Sequence, residues 1–138
     1  MEAGCQCGKL TATIDDGAEP TVVLCHCIDC QKRSGSPFGA MAYYPEDRVT
    51  LNGEAREYSR PTDSGNTYTT GFCPTCGSTL YGKASGFPGI TGVTVGTIGD
   101  PAFPAPARSV YEQSRHRWLA MPEAVQGFVR GRDSEPSR

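Results

Sequence analysis

The chain has 138 residues, which suits a single domain and leaves no room for two ordinary cores. Its formal net charge is −2 and its pI is about 5.6, with no basic cluster, so a nucleic-acid partner is not expected. No apolar run approaches the roughly 20 residues of a membrane span, and the first residues do not resemble a signal peptide. We therefore expect a cytoplasmic protein, away from membranes, whose thiols stay reduced.

Short strands separated by turns dominate the predicted structure, as the 17 glycines and 11 prolines indicate. Alternating or β-branched apolar residues predict strands. In chain order these strands are residues 9–15, 20–24, 40–44, 49–51, 55–59, 67–72, 78–81, 92–95 and 109–112. Asn52-Gly53 predicts a hairpin between two of them, and residues 31–35 predict one helical turn that ends at Gly35. The sequence thus favours an all-β fold of mostly antiparallel short sheets with little helix.

The apolar core is expected to be thin. Five Leu, four Ile, eight Val and five Phe are few for 138 residues, and metal sites are a standard way to staple such a core. We predict a single zinc-binding domain over residues 1–129. Residues 130–138 form a polar C-terminal tail without apolar periodicity, which we expect to fray.

The seven cysteines are the main functional signal. In a reducing compartment they are expected to be metal ligands or catalysts, and an odd number cannot pair completely as disulfides. Thiolates around one tetrahedral zinc lie about 3.8 Å apart, given a Zn–S bond of roughly 2.3 Å. The economical partition is a four-thiol group, which would close a structural zinc site, and a three-thiol group. The four-thiol group is Cys5, Cys7, Cys73 and Cys76, and the three-thiol group is Cys25, Cys27 and Cys30.

The three-thiol group would leave a zinc ion one ligand short, as catalytic zinc sites do. Two alternatives stay open at this point. His116 or a carboxylate could close the site as fourth ligand, or Cys27 and Cys30 could form a redox dithiol, although the strand-then-helix context of such dithiols is missing. His26 is a poor ligand candidate because, in an extended segment, it faces away from its two cysteine neighbours.

Five blocks of sequence resemble the glutathione-dependent formaldehyde-activating enzyme family, which also includes the centromere protein V type of domain. The blocks run in order along most of the chain, and as a set they are highly specific. They are residues 5–8, 25–35, 72–78, 95–101 and 114–118.

The resemblance implies a β-tent fold of antiparallel sheets. It also implies one structural zinc on the four-thiol group and a second, labile and catalytic zinc on the three-thiol group. The chain departs from the family in one place, because Ser109 stands where relatives often have a histidine ahead of the last strand. The substrate of this chain could therefore differ from that of its relatives.

The implied activity is that of a carbon–sulfur lyase similar to S-(hydroxymethyl)glutathione synthase. It would add a small thiol, glutathione or a similar one, to an aldehyde such as formaldehyde at Cys25, Cys27 and Cys30. Lys32, Arg33 and, more weakly, Arg115 are candidates for holding a substrate carboxylate, and an ordinary solvated surface charge is the alternative use of each. The alternative function is a non-catalytic zinc-binding module that carries a thiol or binds a protein partner.

Other residues could serve the same site. Phe38, Tyr43 and Trp118 are candidates for walls of the pocket, with core packing as the alternative use. His116 could relay protons, although a surface or structural use is the more economical interpretation.

Overall fold

The computed structural model describes residues 1–138 and contains eleven β-strands and one short α-helix. The strands are β1 Glu2–Gly4, β2 Thr11–Ile14, β3 Thr21–Cys25, β4 Gly39–Pro45, β5 Val49–Asn52, β6 Arg56–Pro61, β7 Thr67–Phe72, β8 Thr79–Ala84, β9 Ile90–Thr94, β10 Arg108–Val110 and β11 Gln126–Gly127. The helix, α1, is Ile28–Ser34, and three 3₁₀ turns lie at Glu46–Arg48, Val95–Thr97 and Glu112–Ser114. The expected all-β fold is confirmed. None of the helices is long and apolar enough to span a membrane.

The chain divides into two compact units, and each contains one complete cysteine group. The first unit is Met1–Pro20 with Ala42–Ala102, and the second is Thr21–Met41 with Phe103–Arg138. The four-thiol group therefore lies in the first unit and the three-thiol group in the second. Our single-domain boundary at residue 129 stays a prediction.

Antiparallel pairing builds the first unit. β2 lies between β1 and β5, and its buried Ala12 and Ile14 alternate with half-buried threonines, as a strand with one face in the core requires. β6, β7, β8 and β9 pair antiparallel in chain order. The fully buried Leu10, Leu80 and Val93 contribute to the core of this unit.

The predicted hairpin around Asn52-Gly53 is wrong. β5 pairs with β2, whereas β6 pairs with β7 in a different sheet. Gly53 explains the difference, because its φ is 99° and a Cβ there would lie 2.1 Å from the carbonyl oxygen of Lys9. Only glycine permits this close approach of two backbones at positive φ. Asn52-Gly53 does form a turn, but this turn leads the chain from one sheet into another.

Parallel pairing builds the second unit. β10 lies between β3 and β11 and is parallel to both, with Val110 opposite Cys25. The helix α1 begins three residues earlier than predicted because Cys27 caps it: the Cys27 sulfur accepts a hydrogen bond from the backbone N–H of Cys30. It ends where predicted, at Gly35, whose φ is 69°. The second and third cysteines of the three-thiol group are thus placed by a helix start.

The polar C-terminal tail makes hydrogen bonds to a buried residue, and its expected fraying stays a prediction. The guanidinium of Arg138 donates two hydrogen bonds of 3.1 Å to the buried carboxylate of Glu112, and Ser137 Oγ donates a third of 2.7 Å. Burial alone would raise the pKa of Glu112, but the hydrogen bonds from Arg138, Ser109 and Ser137 lower it from 4.5 to about 2. A buried carboxylate therefore fastens the tail to the segment that follows β10.

We expect the substitution Glu112→Gln to reduce stability by about 3 kcal/mol at neutral pH, because a depressed carboxyl pKa stabilises the fold wherever the group is ionised. This contribution is fully present above the unfolded-state pKa near 4.5 and is lost as the pH falls through the folded-state pKa of about 2. Urea unfolding of both proteins at intervals from pH 6 to pH 2 measures the difference. The difference should shrink with acidification, and a difference that does not change with pH would contradict this assignment.

Candidate metal centres

The four-thiol group is assembled by two tight turns. Cys5 and Cys7 follow β1, and the backbone N–H groups of Gly8 and Leu10 fold this segment back onto Cys5. Cys73 and Cys76 follow β7 in a turn that closes when the N–H of Gly77, at φ 78°, donates to the Cys73 carbonyl. The four sulfur atoms all lie within 4.8 Å of one another.

The sulfur geometry of this group fits a tetrahedral zinc ion. The Sγ–Sγ distances from Cys7 to Cys5 and to Cys73 are both 3.7 Å, close to the roughly 3.8 Å expected around zinc. The N–H of Leu10 donates to the Cys5 sulfur, and a hydrogen bond from Ser78 is the largest factor that lowers the pKa of Cys76, to about 5. These donors favour the thiolate form that a metal ion requires.

The three-thiol group lies where β3 ends and α1 begins, so the expectation that a strand-then-helix context is missing was wrong. Cys25 is the last residue of β3, Cys27 is the N-cap of α1 and Cys30 is in its first turn. The three sulfur atoms lie within 4.8 Å of one another, and all three residues are half-buried. Contacts with Cys27 and Cys30, together with burial, raise the pKa of Cys25 far above its ordinary value. Three thiolates this close need a cation, and the donor set is consistent with zinc.

The structure brings no fourth protein ligand to the three-thiol group. Neither a histidine nor a carboxylate lies within 4.8 Å of all three sulfurs. His116 Nε2 lies 3.1 Å from the side-chain oxygen of Gln31, so the alternative of a site closed by His116 is not supported. His26 points away from the sulfurs, as expected, and its Nε2 lies 2.8 Å from Ser109 Oγ.

Arg33 is a basic residue that lies near Cys30. A Cβ on Gly39 would lie 2.6 Å from Arg33 Nη2 and 3.4 Å from Cys30 Cβ, so the absence of a side chain there lets the guanidinium lie beside Cys30. At Cys30, contact with Cys25 and the charge of Arg33 lower the pKa, but contact with Cys27 and burial outweigh them and raise it. Lys32 is exposed on the same helix.

Arg115 is engaged elsewhere in the second unit. Its Nη1 donates to the carbonyl oxygen of Leu119, and its Nε lies 3.8 Å from a carboxylate oxygen of Glu112. These contacts assign it a structural use, and its role in substrate binding stays a prediction.

The three candidates for pocket walls lie in different surroundings. Trp118 is 71% exposed, with its ring edge-on to His116 at 5.9 Å. Phe38 lies 5.9 Å from the buried ring of His26. Tyr43 belongs to the first unit, where its hydroxyl lies 3.0 Å from that of Tyr68. Trp118 and Phe38 share the second unit with the three-thiol group.

Sequence reasoning missed the residues that hold His26 in place. The carbonyl oxygen of His26 accepts hydrogen bonds from Gln31 Nε2 at 2.8 Å and Ser114 Oγ at 2.7 Å. Its N–H donates to the carbonyl of Val110 at 3.0 Å. Ser109 and Ser114 lie 83 and 88 positions away along the chain, so no local pattern connects them with the cysteines.

Comparisons with known proteins identify a family and a similar fold. The family model described as glutathione-dependent formaldehyde-activating enzyme matches residues 1–114. No curated protein shows a significant match to the chain. A crystal structure of a Rhodobacter sphaeroides protein, a structural-genomics target, matches with a TM-score of 0.56 and 20% identity over 77% of this chain and 98% of that chain. At this identity the match supports the fold alone. The chain is therefore a member of the glutathione-dependent formaldehyde-activating enzyme family.

Proposed function

We propose that the protein is a carbon–sulfur lyase that catalyses the reversible addition of a small thiol, glutathione or one like it, to an aldehyde such as formaldehyde. The observation that carries this proposal is the three-thiol group, whose sulfurs converge without a fourth protein ligand. A metal site with an open position can accept a substrate, whereas a closed site such as the four-thiol group serves structure. Family membership supports the same substrate pair.

The reaction forms one carbon–sulfur bond. The substrate sulfur adds to the aldehyde carbon, the C=O π bond opens, and the proton lost by the thiol ends on the former carbonyl oxygen. A zinc ion bound to Cys25, Cys27 and Cys30 would supply the positive charge that keeps a substrate thiol, with an ordinary pKa of about 8.5, deprotonated near neutral pH. The reverse direction breaks the same bond and releases the aldehyde.

Basic side chains of α1 would orient the anionic thiol. Arg33 lies beside Cys30 in the gap left by Gly39, and a guanidinium in that place can bind a carboxylate with two hydrogen bonds. Lys32, one residue earlier and exposed, would add a second, more mobile charge. A thiol without carboxylates would gain nothing from either residue.

The test combines metal analysis with a solution assay. The purified protein should contain two zinc ions per chain, one that a chelator removes easily and one that resists. Exchange NMR of formaldehyde and glutathione should show faster formation and breakdown of S-hydroxymethylglutathione with the protein than without it. An unchanged rate would refute the formaldehyde–glutathione assignment. If, in addition, no small thiol perturbs the labile metal, the alternative of a non-catalytic zinc module is favoured.

We expect Arg33→Met to raise KM for glutathione about tenfold, which is what one charge-assisted carboxylate contact is worth. The matched variant Lys32→Met should change KM less, because Lys32 is more exposed. Mercaptoethanol, which has no carboxylate, serves as control substrate, and its KM should be the same in all three proteins. A similar rise in KM for both thiols would show that Arg33 acts on the cysteines and does not bind the substrate carboxylate.

A further inference from the structure

His26 is the residue that links Cys25 to Cys27, and the protein buries it completely. Three of its four polar groups are held. The backbone N–H donates to the carbonyl of Val110, and the carbonyl oxygen accepts from Gln31 Nε2 and Ser114 Oγ. Nε2 of the ring lies 2.8 Å from Ser109 Oγ. The fourth group, Nδ1, is buried and has no hydrogen-bond partner.

The surroundings of the imidazole set the direction of its hydrogen bond to Ser109. Its hydroxyl oxygen, itself fully buried, lies 2.8 Å from Nε2 and is the hydrogen-bond partner of the ring. A proton on Nδ1 would be a buried donor without a partner, so Nε2 carries the proton and donates it to Ser109 Oγ. Because Nδ1 has no partner of its own, the orientation of the ring depends on the single bond to Ser109.

Gln31 holds the other side of the same residue. Its Nε2 donates to the carbonyls of both His26 and Ser114, at 2.8 and 3.1 Å, and its side-chain oxygen lies 3.1 Å from His116 Nε2. Ser114 Oγ adds a second bond to the His26 carbonyl. The peptide group after His26 is thus held by side chains from α1 and from the segment after β10, and the peptide group before it by the backbone carbonyl of Val110 in β10.

We propose that His26 is a positioning residue for the three-thiol group, held by Ser109 at its ring and by Gln31 and Ser114 at its carbonyl. A residue fixed at its backbone and its side chain fixes the Cα–Cβ directions of its two neighbours, and hence the sulfur positions of Cys25 and Cys27. Groups behind metal ligands commonly control metal affinity in this way. The inference rests on the proposed metal site at the three-thiol group.

The tautomer is tested first, without any metal. The chain has two histidines, so ¹⁵N-histidine labelling gives two ring systems, and the variant His116→Gln assigns the signals of His26. We expect the proton on Nε2 of His26, with slow exchange against solvent. In Ser109→Ala the exchange should accelerate by at least about tenfold, because the acceptor is lost. A wild-type His26 with its proton on Nδ1 would overturn the proposal.

Metal release then tests the positioning itself. Zinc-loaded protein is mixed with a chromogenic chelator, and the fast and slow phases report the three-thiol and four-thiol groups. Gln31→Glu, which cannot donate to the two carbonyls, and Ser109→Ala should each accelerate the fast phase about tenfold and leave the slow phase unchanged. The control Gln126→Glu makes the same charge change at an exposed residue of the same unit and should alter neither phase.

The spectrum of the cobalt-substituted protein separates positioning from general destabilisation. The absorption bands that disappear with the fast-released Co²⁺ should shift in Gln31→Glu and Ser109→Ala, since they depend on the arrangement of the sulfurs. Gln31 is half-buried, so we expect the Gln31→Glu protein to fold. The inference is overturned if this variant shows unchanged absorption bands and an unchanged fast phase of metal release. Uptake of a single metal ion by the wild type would instead refute the proposed metal site, and this inference with it.

Discussion

Replacing Cys73 by serine is expected to destabilise the protein by about 4 kcal/mol or more and to remove the chelator-resistant zinc. Cys73 is 1% exposed, and its sulfur lies 3.7 Å from that of Cys7, so a hydroxyl in its place loses a metal ligand at the most buried corner of the group. The four-thiol group joins the start of the first unit to the turn after β7, two segments more than 60 residues apart along the chain. Without the metal link between these two segments, the long loop between them is no longer closed in the unfolded chain, which favours unfolding.

Differential scanning calorimetry and zinc analysis measure this effect together. For a chain of 138 residues, a loss of this size should lower Tm by more than about 10 °C. Cys30→Ser is the matched control, because it removes a half-buried thiol from the other group and should leave the resistant zinc and most of the stability in place. Equal destabilisation by both substitutions would show that the two groups do not divide into a structural and a labile site.

The grouping of the cysteines was predictable because it depends on local geometry and on number. A Cys-x-Cys and a Cys-x-x-Cys each bring two thiols to one point whatever the rest of the fold does, and seven thiols divide most simply into four and three. The structure places the sulfurs in these two groups. The absence of His116 from the three-thiol group was not predictable, because its distance depends on how the segment after β10 folds.

The strand pairing was less predictable than the strands. Strands β3, β4 and β7 lie within one or two residues of where the apolar pattern puts them. The hairpin predicted from Asn52-Gly53 was wrong because this dipeptide indicates only a turn. It does not determine which strand pairs with the strand that follows the turn. The backbone contact between Gly53 and Lys9, which decides the partner, joins residues 44 positions apart.

The hydrogen bonds around His26 had no sequence signal for the same reason. Nothing in the sequence indicates that Ser109 contacts His26, and only the parallel pairing of β10 with β3 brings Ser109 to the residue between Cys25 and Cys27. Ser109 has a definite partner here, since its Oγ lies 2.8 Å from Nε2 of His26. That Ser109 gives this chain a substrate different from that of its relatives stays a prediction.

The second large effect is expected for Cys27→Ser, which should lower the rate of adduct formation by more than about 100-fold, since even the loss of a group behind a metal ligand costs about 10–100-fold. The fold should survive. Cys27 is the N-cap of α1 and its sulfur accepts from the N–H of Cys30; serine is a preferred N-cap and can accept the same bond. The substitution thus removes a thiolate and keeps the start of the helix.

Exchange NMR measures the rate, and circular dichroism and zinc analysis of the same sample supply the control. We expect an unchanged spectrum, one zinc ion per chain in place of two, and retention of the resistant zinc. No other cysteine-to-serine change can serve as a neutral comparison, because all seven thiols belong to the two groups. A Cys27→Ser protein that keeps its fold and its full activity would remove the three-thiol group from the reaction, whereas one that loses only the labile zinc and the activity ties the chemistry to Cys27.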